Sequence, residues 1–221
     1  GRPRSENVLN PSPMPARPPR RRIAIAVLAL GGQGGGVLTR WIGDLGASGG
    51  YRTQATSVPG VAQRTGATTY YVEMIPWEPG SDEPILSLTP TPGDVDIVLA
   101  SELMEAGRAV LRGFVSSDLT TLISSTHRVY AISEKSAKGN GIGRAGPILE
   151  AAASRSKRLI QFDMAAAAET AGCGLSAVML GALAGSKALP FRREAFIEAI
   201  HRSGMAIGQN VKGFEAGFQA A

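Results

Sequence analysis

Ile23-Ala24-Ile25-Ala26-Val27-Leu28-Ala29-Leu30-Gly31-Gly32-Gln33-Gly34-Gly35-Gly36-Val37-Leu38 is the stretch that decides the fold class. Its first eight residues are apolar without alternation, the pattern of a strand buried on both faces in the middle of a parallel sheet. Five glycines and Gln33 follow, a run that only a turn accommodates. Val37, Leu38, Trp41, Ile42 and Leu45 then recur at helical spacing, and Gly49-Gly50 stops the helix. A strand, a glycine turn and a helix in this order open a doubly wound α/β domain.

Working outward, residues 51–58 read as a second strand and 59–66 as a loop. Residues 67–75 alternate, with Thr68, Tyr70, Val72 and Met74 on one face of a strand and Thr69, Tyr71, Glu73 and Ile75 on the other. Residues 76–84 form an acidic surface loop. Residues 96–100 are a short buried strand. Ser101 caps a helix reaching to Gly113, with Leu103, Met104, Val110 and Leu111 as its apolar face. Residues 119–124 and 158–162 are further strands, 131–146 a glycine- and lysine-rich excursion, and 147–156 a helix. Asp163 is a natural cap for a helix over 164–171, and 175–183 and 192–219 are helical. The expectation is α/β: a doubly wound, mostly parallel, Rossmann-like sheet with helices on both faces and a helical C-terminal end.

Charge divides the chain into a Pro/Arg-rich tail, 1–22, and one α/β domain, 23–221. The tail holds Arg2, Arg4, Arg17, Arg20, Arg21 and Arg22 against Glu6, which accounts for the whole net charge of +5. The rest is formally neutral, so the basic balance describes no nucleic-acid-binding face. Cys173 is the one cysteine, which excludes a disulfide framework and an iron–sulfur cluster held by this chain alone. Its scarcity fits a reducing cytoplasm. No apolar run reaches membrane-spanning length, and no signal peptide is evident. His127 and His201 lack metal-ligand spacing and read as ordinary side chains, and no metal site is expected. Glu102 and Glu105 read as a solvated helix face, while Ser125 and Thr126 end a strand on the ligand edge.

A strand–glycine turn–helix unit presents free N–H groups and a positive helix end, and both attract phosphate. A P-loop is excluded, because Val37 and Leu38 stand where Lys and Ser/Thr are required. A dinucleotide site is disfavoured, because residues 51–58 carry no acid for a ribose. Three readings stay open: a cradle for the phosphate or pyrophosphate of another cofactor, with Gln33 adding its amide; a turn that serves packing only; and, more weakly, an NAD site. Pro59-Gly60-Val61-Ala62-Gln63-Arg64-Thr65-Gly66 is a second constellation. If 51–58 is a second parallel strand, its following loop lies at the same sheet edge as the glycine turn. Arg64 then supplies an always-charged, bidentate phosphate donor, with Gln63 and Thr65 as neutral donors.

Gly31-Gly32-Gln33-Gly34 after an apolar strand, with Gly60-Val61-Ala62-Gln63-Arg64-Thr65-Gly66 before an alternating one, resembles the gamma-type domain of 2-oxoacid:ferredoxin oxidoreductases. Within that family the chain resembles the beta subunit of indolepyruvate oxidoreductase. Val178-Met179-Leu180-Gly181-Ala182-Leu183 is similar to the family's closing helix. The chain departs from the family pattern at Ala29, Thr65 and Ser176, where glycine, glycine and asparagine are usual.

The resemblance implies a subunit of an enzyme that oxidatively decarboxylates an aryl-2-oxoacid such as indolepyruvate to an acyl-CoA and passes electrons to ferredoxin. Thiamine diphosphate, Mg and iron–sulfur clusters would sit on a large partner subunit, since this chain lacks a thiamine motif and the cysteines. The same resemblance places coenzyme A on Gly31, Gly32, Gln33, Gly34 and Gly35 for the pyrophosphate. It places Gln63, Arg64, Thr65 and Gly66 on phosphate, with Arg64 closing the active site. The competing reading from another class is an interaction subunit whose glycine turn binds nothing.

Overall fold

The computed structural model describes residues 21–59, 67–129 and 145–221. The loop 60–66, with Gln63, Arg64, Thr65 and Gly66, lies outside the described residues, as do most of the 131–146 excursion and tail residues 1–20.

In chain order the described elements are β1 (Ile23–Leu30), α1 (Gly35–Ser48), β2 (Tyr51–Pro59), β3 (Ala67–Pro76), β4 (Ile97–Ala100), α2 (Leu103–Leu111), β5 (Thr121–Ser125), α3 (Ala145–Arg155), β6 (Arg158–Phe162), α4 (Met164–Ala171), α5 (Leu175–Gly185), α6 (Arg193–Ser203) and α7 (Ile207–Ala220). The strands form one sheet in the order β2-β3-β1-β4-β5-β6. β1, β4, β5 and β6 pair in parallel. β3 is antiparallel to both of its neighbours, β1 and β2. β2 therefore runs in the direction of β1 but is not adjacent to it.

Helices cover both faces, as the doubly wound pattern requires. Ile25 and Val27 of β1, with Ile97, Leu99 and Ile123, face a core shared with α1, α5 and Phe196 and Phe214 of α6 and α7. Ala26 and Leu28, with Val98 and Leu122, face a smaller core closed by Ala109 of α2 and Ala152 of α3. This is why β1 carries no polar position: alternate side chains enter two different cores.

α5 is apolar all round, and residues 176–184 are buried without interruption. α7 crosses it at backbone distance. A Cβ at Gly181 would lie 2.0 Å from Phe214 O, and one at Gly217 would lie 2.0 Å from Val178 O. The residues 192–219, one helical stretch by periodicity, divide into α6 and α7. Gly204 (φ 67°) and Ala206 (φ 41°) leave the right-handed region between them, and the break turns α7 back onto α5.

Two details of α2 differ from the sequence expectation. Its cap is Glu102, in extended backbone, whose carboxylate accepts the Glu105 N–H at 3.1 Å; Ser101 turns its hydroxyl to Gln33 instead. The buried stripe is Leu103, Glu105, Ala106 and Ala109, and Leu111 is 89% exposed. Two residues beyond Ala109 the helix has rotated about 200°, which carries Leu111 to the far side. Glu102 and Glu105, expected on a solvated face, are both buried. Arg108 pairs with Glu105 at 2.8 Å, while burial pushes the Glu105 carboxyl up from its ordinary 4.5.

Arg21 and Arg22, which the charge pattern assigns to the tail, are tied to the sheet. Arg22 bridges Glu73 and Asp94, each at 2.5 Å, and Arg21 reaches Asp96 at 3.3 Å. Glu73 also accepts from Tyr71 Oη (3.3 Å) and Ser87 N–H. Burial, with Glu73 beside it, pushes the Tyr71 phenol up to about 12, so it remains a donor.

Candidate functional site at the C-terminal edge of β1

The glycine turn leaves β1 at the sheet edge where β4 and β5 also end. Gln33 N–H closes a tight turn onto Leu30 O at 3.2 Å. Gly32 (φ 81°) and Gly34 (φ 78°) are left-handed, a conformation that favours glycine. Gly35 is required for a different reason: a Cβ there would sit 2.5 Å from the Tyr70 ring and 2.8 Å from Ala29 Cβ. Gly34 is the N-cap of α1, which has no side-chain cap and no acid in its first turn. Its first N–H groups are thus left to a ligand or solvent.

A second helix start meets the first. α5 begins after Gly174, also without a side-chain cap. Ser176 in its first turn stands so close that a Cβ at Gly34 would lie 2.9 Å from Ser176 Oγ. Between the two helix starts opens a cleft of about 330 Å³, lined by Gly32, Gln33, Gly34, His127, Ala165, Ala168, Glu169, Cys173, Gly174, Leu175 and Ser176. Two positive helix ends directed at one cleft suit an anion, and Glu169 is the acidic group on its wall. Burial pushes the Cys173 thiol up, so it lines the cleft as a protonated, weakly polar group.

Gln33 lines the cleft, and its amide is shared between the turn and His127. Its Oε1 accepts from the Leu30 N–H at 3.2 Å and from the Ser101 hydroxyl. Those two donors fix the oxygen side, so Nε2 faces His127 Nε2 at 3.5 Å. His127 Nδ1 lies 2.6 Å from Ser125 Oγ, and Ser125 Oγ accepts the Met164 N–H at 3.0 Å. The self-consistent assignment is a neutral His127 with its proton on Nδ1 donated to Ser125 and Nε2 open to Gln33. Burial holds the imidazole below its ordinary 6.5, with Asp163 and Glu102 pulling the other way.

The predicted residues therefore divide three ways. Gly31, Gly32, Gln33 and Gly34 form the turn and Gly35 opens α1, with Gly32, Gln33 and Gly34 on the cleft. Gln63, Arg64, Thr65 and Gly66 lie outside the described residues, but the loop's described ends are Pro59 and Ala67, and Ala67 is paired with Leu30. The residue that follows the loop therefore lies beside the last residue of β1, and Pro59 lies one strand further out, paired with Thr68. Ser125 reaches the site through His127, whereas Thr126 uses its N–H on Phe162 O. His127, Glu169 and Ser176 were missed. The available signals were a histidine two residues past a strand ending on the ligand edge, and a Gly174 that starts a helix.

Among the described residues, no group of three or more His, Cys, Asp or Glu side chains converges as a metal site. Cys173 is the chain's one thiol, which does not fit an iron–sulfur cluster wanting four thiolates. The uncapped helix starts and the Cβ-free cradle do fit a phosphate-bearing group. No single helix among the described residues is long and apolar enough to cross a membrane.

The profile of the family "Pyruvate ferredoxin/flavodoxin oxidoreductase" matches residues 24–220. Among curated proteins none matches the chain in sequence. Solved structures do share its fold. Pyruvate oxidoreductase subunit PORC (EC 1.2.7.1) from Thermotoga maritima superposes with a TM-score of 0.59 at 19% identity, over 90% of this chain and 97% of that one. The gamma subunit of a keto/oxoacid ferredoxin oxidoreductase from Geobacter sulfurreducens PCA gives 0.60 at 17% identity, over 90% and 98%. The 2-oxoglutarate:ferredoxin oxidoreductase of Magnetococcus marinus, solved with 2-oxoglutarate, coenzyme A and succinyl-CoA bound, gives 0.61 at 14% identity, covering 91% of this chain and 31% of that one. With its profile match spanning nearly the whole of the described sheet and its helices, the chain belongs to the pyruvate ferredoxin/flavodoxin oxidoreductase family.

Proposed function

We propose that this chain is the subunit without clusters of a thiamine-dependent 2-oxoacid:ferredoxin oxidoreductase, and that it helps hold coenzyme A and close the active site. The observation that carries the reading is the convergence of the α1 and α5 starts on one cleft beside the glycine turn. Backbone N–H groups there meet the pyrophosphate of coenzyme A, and Arg64, three residues before the Ala67 that pairs with Leu30, adds a charge-assisted contact. Such a bond contributes about 1.5–3 kcal/mol.

Thiamine diphosphate, Mg and the iron–sulfur clusters belong to a large partner subunit, which supplies the carbon chemistry and passes electrons to ferredoxin. Aryl-2-oxoacids such as indolepyruvate are the substrate class, and the cytoplasm is the compartment, without nucleic-acid or membrane attachment. The reading is tested in the complex purified with its partner. Acyl-CoA formation is followed with indolepyruvate, pyruvate and 2-oxoglutarate, and the KM for coenzyme A is compared with that of Arg64→Ala. A raised KM is expected. An unchanged KM and turnover removes the role given to that loop.

The second reading, an interaction subunit whose glycine turn serves packing, draws on Gly35, whose absent Cβ makes room for Tyr70 and Ala29. In that case Arg64→Ala and Gly34→Ala alter assembly but not the KM for coenzyme A. An NAD site loses further ground because β3 separates β2 from β1. A ribose acid on a neighbouring second strand has no place in that order. Titration with NADH, read by fluorescence, is expected to show no change.

A further inference from the structure

We infer that His127 is a positioning residue for the glycine turn: its imidazole, anchored on Ser125, latches the Gln33 amide in the orientation that shapes the anion cradle, so that ligand binding there follows the protonation of His127. The inference rests on the reading of the cleft as an anion site.

Gln33 closes the turn twice, through its own N–H to Leu30 O and through Oε1, which takes the Leu30 N–H. Turning the amide over would set its NH₂ against the Leu30 N–H, which has no acceptor to offer, and the Leu30 N–H would keep only its longer bond to Ser101 Oγ at 3.4 Å. Its NH₂ therefore stays toward His127 and needs an acceptor there. Nε2 is that acceptor only while the proton is on Nδ1, and Ser125 Oγ, 2.6 Å away, has a lone pair to receive it there beside the one taken by the Met164 N–H. A second proton, on Nε2, sets two donors face to face across 3.5 Å and releases Gln33 from the turn.

The charged groups around the ring are Asp163, which caps α4, Glu102, which caps α2, and Glu169 on the cleft wall. Burial, the larger effect, opposes the imidazolium, while Asp163 and Glu102 favour it. An anion in the cleft would also favour the imidazolium by charge. The latch has the opposite sign, and this makes the two roles separable. If the latch dominates, acid weakens binding. If His127 acts as a cation on the ligand, acid strengthens it.

Coenzyme A is titrated into the full chain by calorimetry at about pH 7.5 and about pH 5.5, on either side of the ordinary histidine value. Gln at 127 offers an uncharged acceptor near the Nε2 position; Leu offers none. At the higher pH, H127L is expected to weaken binding about 5- to 10-fold, the worth of one hydrogen bond, and H127Q to recover most of it. As the pH is lowered further through the folded His127 value, which lies below 6.5, the wild type falls by a similar factor relative to H127Q, a ratio in which the titration of the ligand's own phosphates cancels. Wild-type binding that strengthens in acid relative to H127Q overturns the latch.

A measurement without ligand separates this inference from the coenzyme A reading. Nitrogen-15 NMR of the full chain is expected to show His127 as the Nδ1–H tautomer, and Gln33→Leu to shift both its tautomer balance and its titration midpoint. If Gln33→Leu leaves both unchanged, there is no latch, whatever coenzyme A does. If they shift but no form binds coenzyme A, the latch stands and the assigned ligand is wrong.

Discussion

Gly34 and Ser176 meet at the mouth of the cleft, so close that a Cβ on Gly34 would lie 2.9 Å from the Ser176 hydroxyl oxygen. The contact joins the cap of α1 to the first turn of α5, and it is the point where two helix starts become one site. Gly34 also has φ 78°, so it is constrained by conformation and by contact together.

Gly34→Ala is expected to cost about 1–2 kcal/mol from the left-handed backbone alone. That lowers the Tm by about 2–4 °C per kcal/mol in a chain of this size. The contact with Ser176 adds a further part. Ser176→Gly should return that further part and leave the backbone part, so a double-mutant cycle read by thermal unfolding separates the two. The KM for coenzyme A is expected to rise in G34A whether or not Ser176 is trimmed.

Stability should depend on pH through His127. Its folded value lies below the ordinary 6.5 because the ring is partly buried. Between the two values the unfolded chain binds more protons, so stability rises with pH across that window. The contribution is complete above 6.5 and is lost as pH falls through the folded value. Urea unfolding of the wild type and of H127Q at a series of pH values checks this. The difference between the two curves should slope upward below 6.5 and be flat above it.

The helix seam at the C-terminal end gives a sharper contrast between two glycines of α7. Gly217→Ala drives a Cβ to 2.0 Å from Val178 O, a backbone clash that only helix displacement relieves. A loss of about 3 kcal/mol is expected, at the upper end of overpacking costs. Gly208→Ala meets nothing within 4 Å and should stabilise by about 0.5–1 kcal/mol through helix propensity. Denaturant midpoints that move the same way in both variants would contradict the seam.

Arg22→Met tests the link between the start of β1 and the sheet. It leaves the Glu73 carboxylate, 3% exposed, with Tyr71 and Ser87 as its partners among the described residues. Because Arg22 itself is partly exposed, the expected loss is about 2 kcal/mol rather than the 3–5 of a fully buried pair. Adding Glu73→Gln should recover part of it, with a positive coupling energy in urea unfolding.

Much of the fold was legible because it is local. β1 announces burial on both faces by lacking any polar position, and Gly32 (φ 81°) and Gly50 (φ 84°) turn the chain in the left-handed region that favours glycine, a local backbone requirement. Asp163 reads as a cap and is one, accepting the Ala166 N–H at 2.9 Å. Ser101 reads equally well as a cap and is not one, because Gln33, far away in sequence, offers its hydroxyl an acceptor and Glu102 takes over the helix start. The same distance hid His127: its place two residues past β5 points to the ligand edge, but the contact with Gln33 is made across the sheet.

By itself, then, the sequence determined the α/β class, the glycine turn after β1, the placing of the net charge outside residues 23–221, and the absence of thiols for a cluster. Local spacing and composition suffice for these, since each depends on one segment's backbone preference or on a count. Only the tertiary structure decided that β3 inserts antiparallel between β1 and β2, that α5 and α7 touch along Gly181 and Gly217, and that Ser176, Glu169 and His127 complete the cleft begun by Gly34. These depend on which distant faces fit one another. That complementarity of shape and hydrogen bonding exists only once the elements have packed.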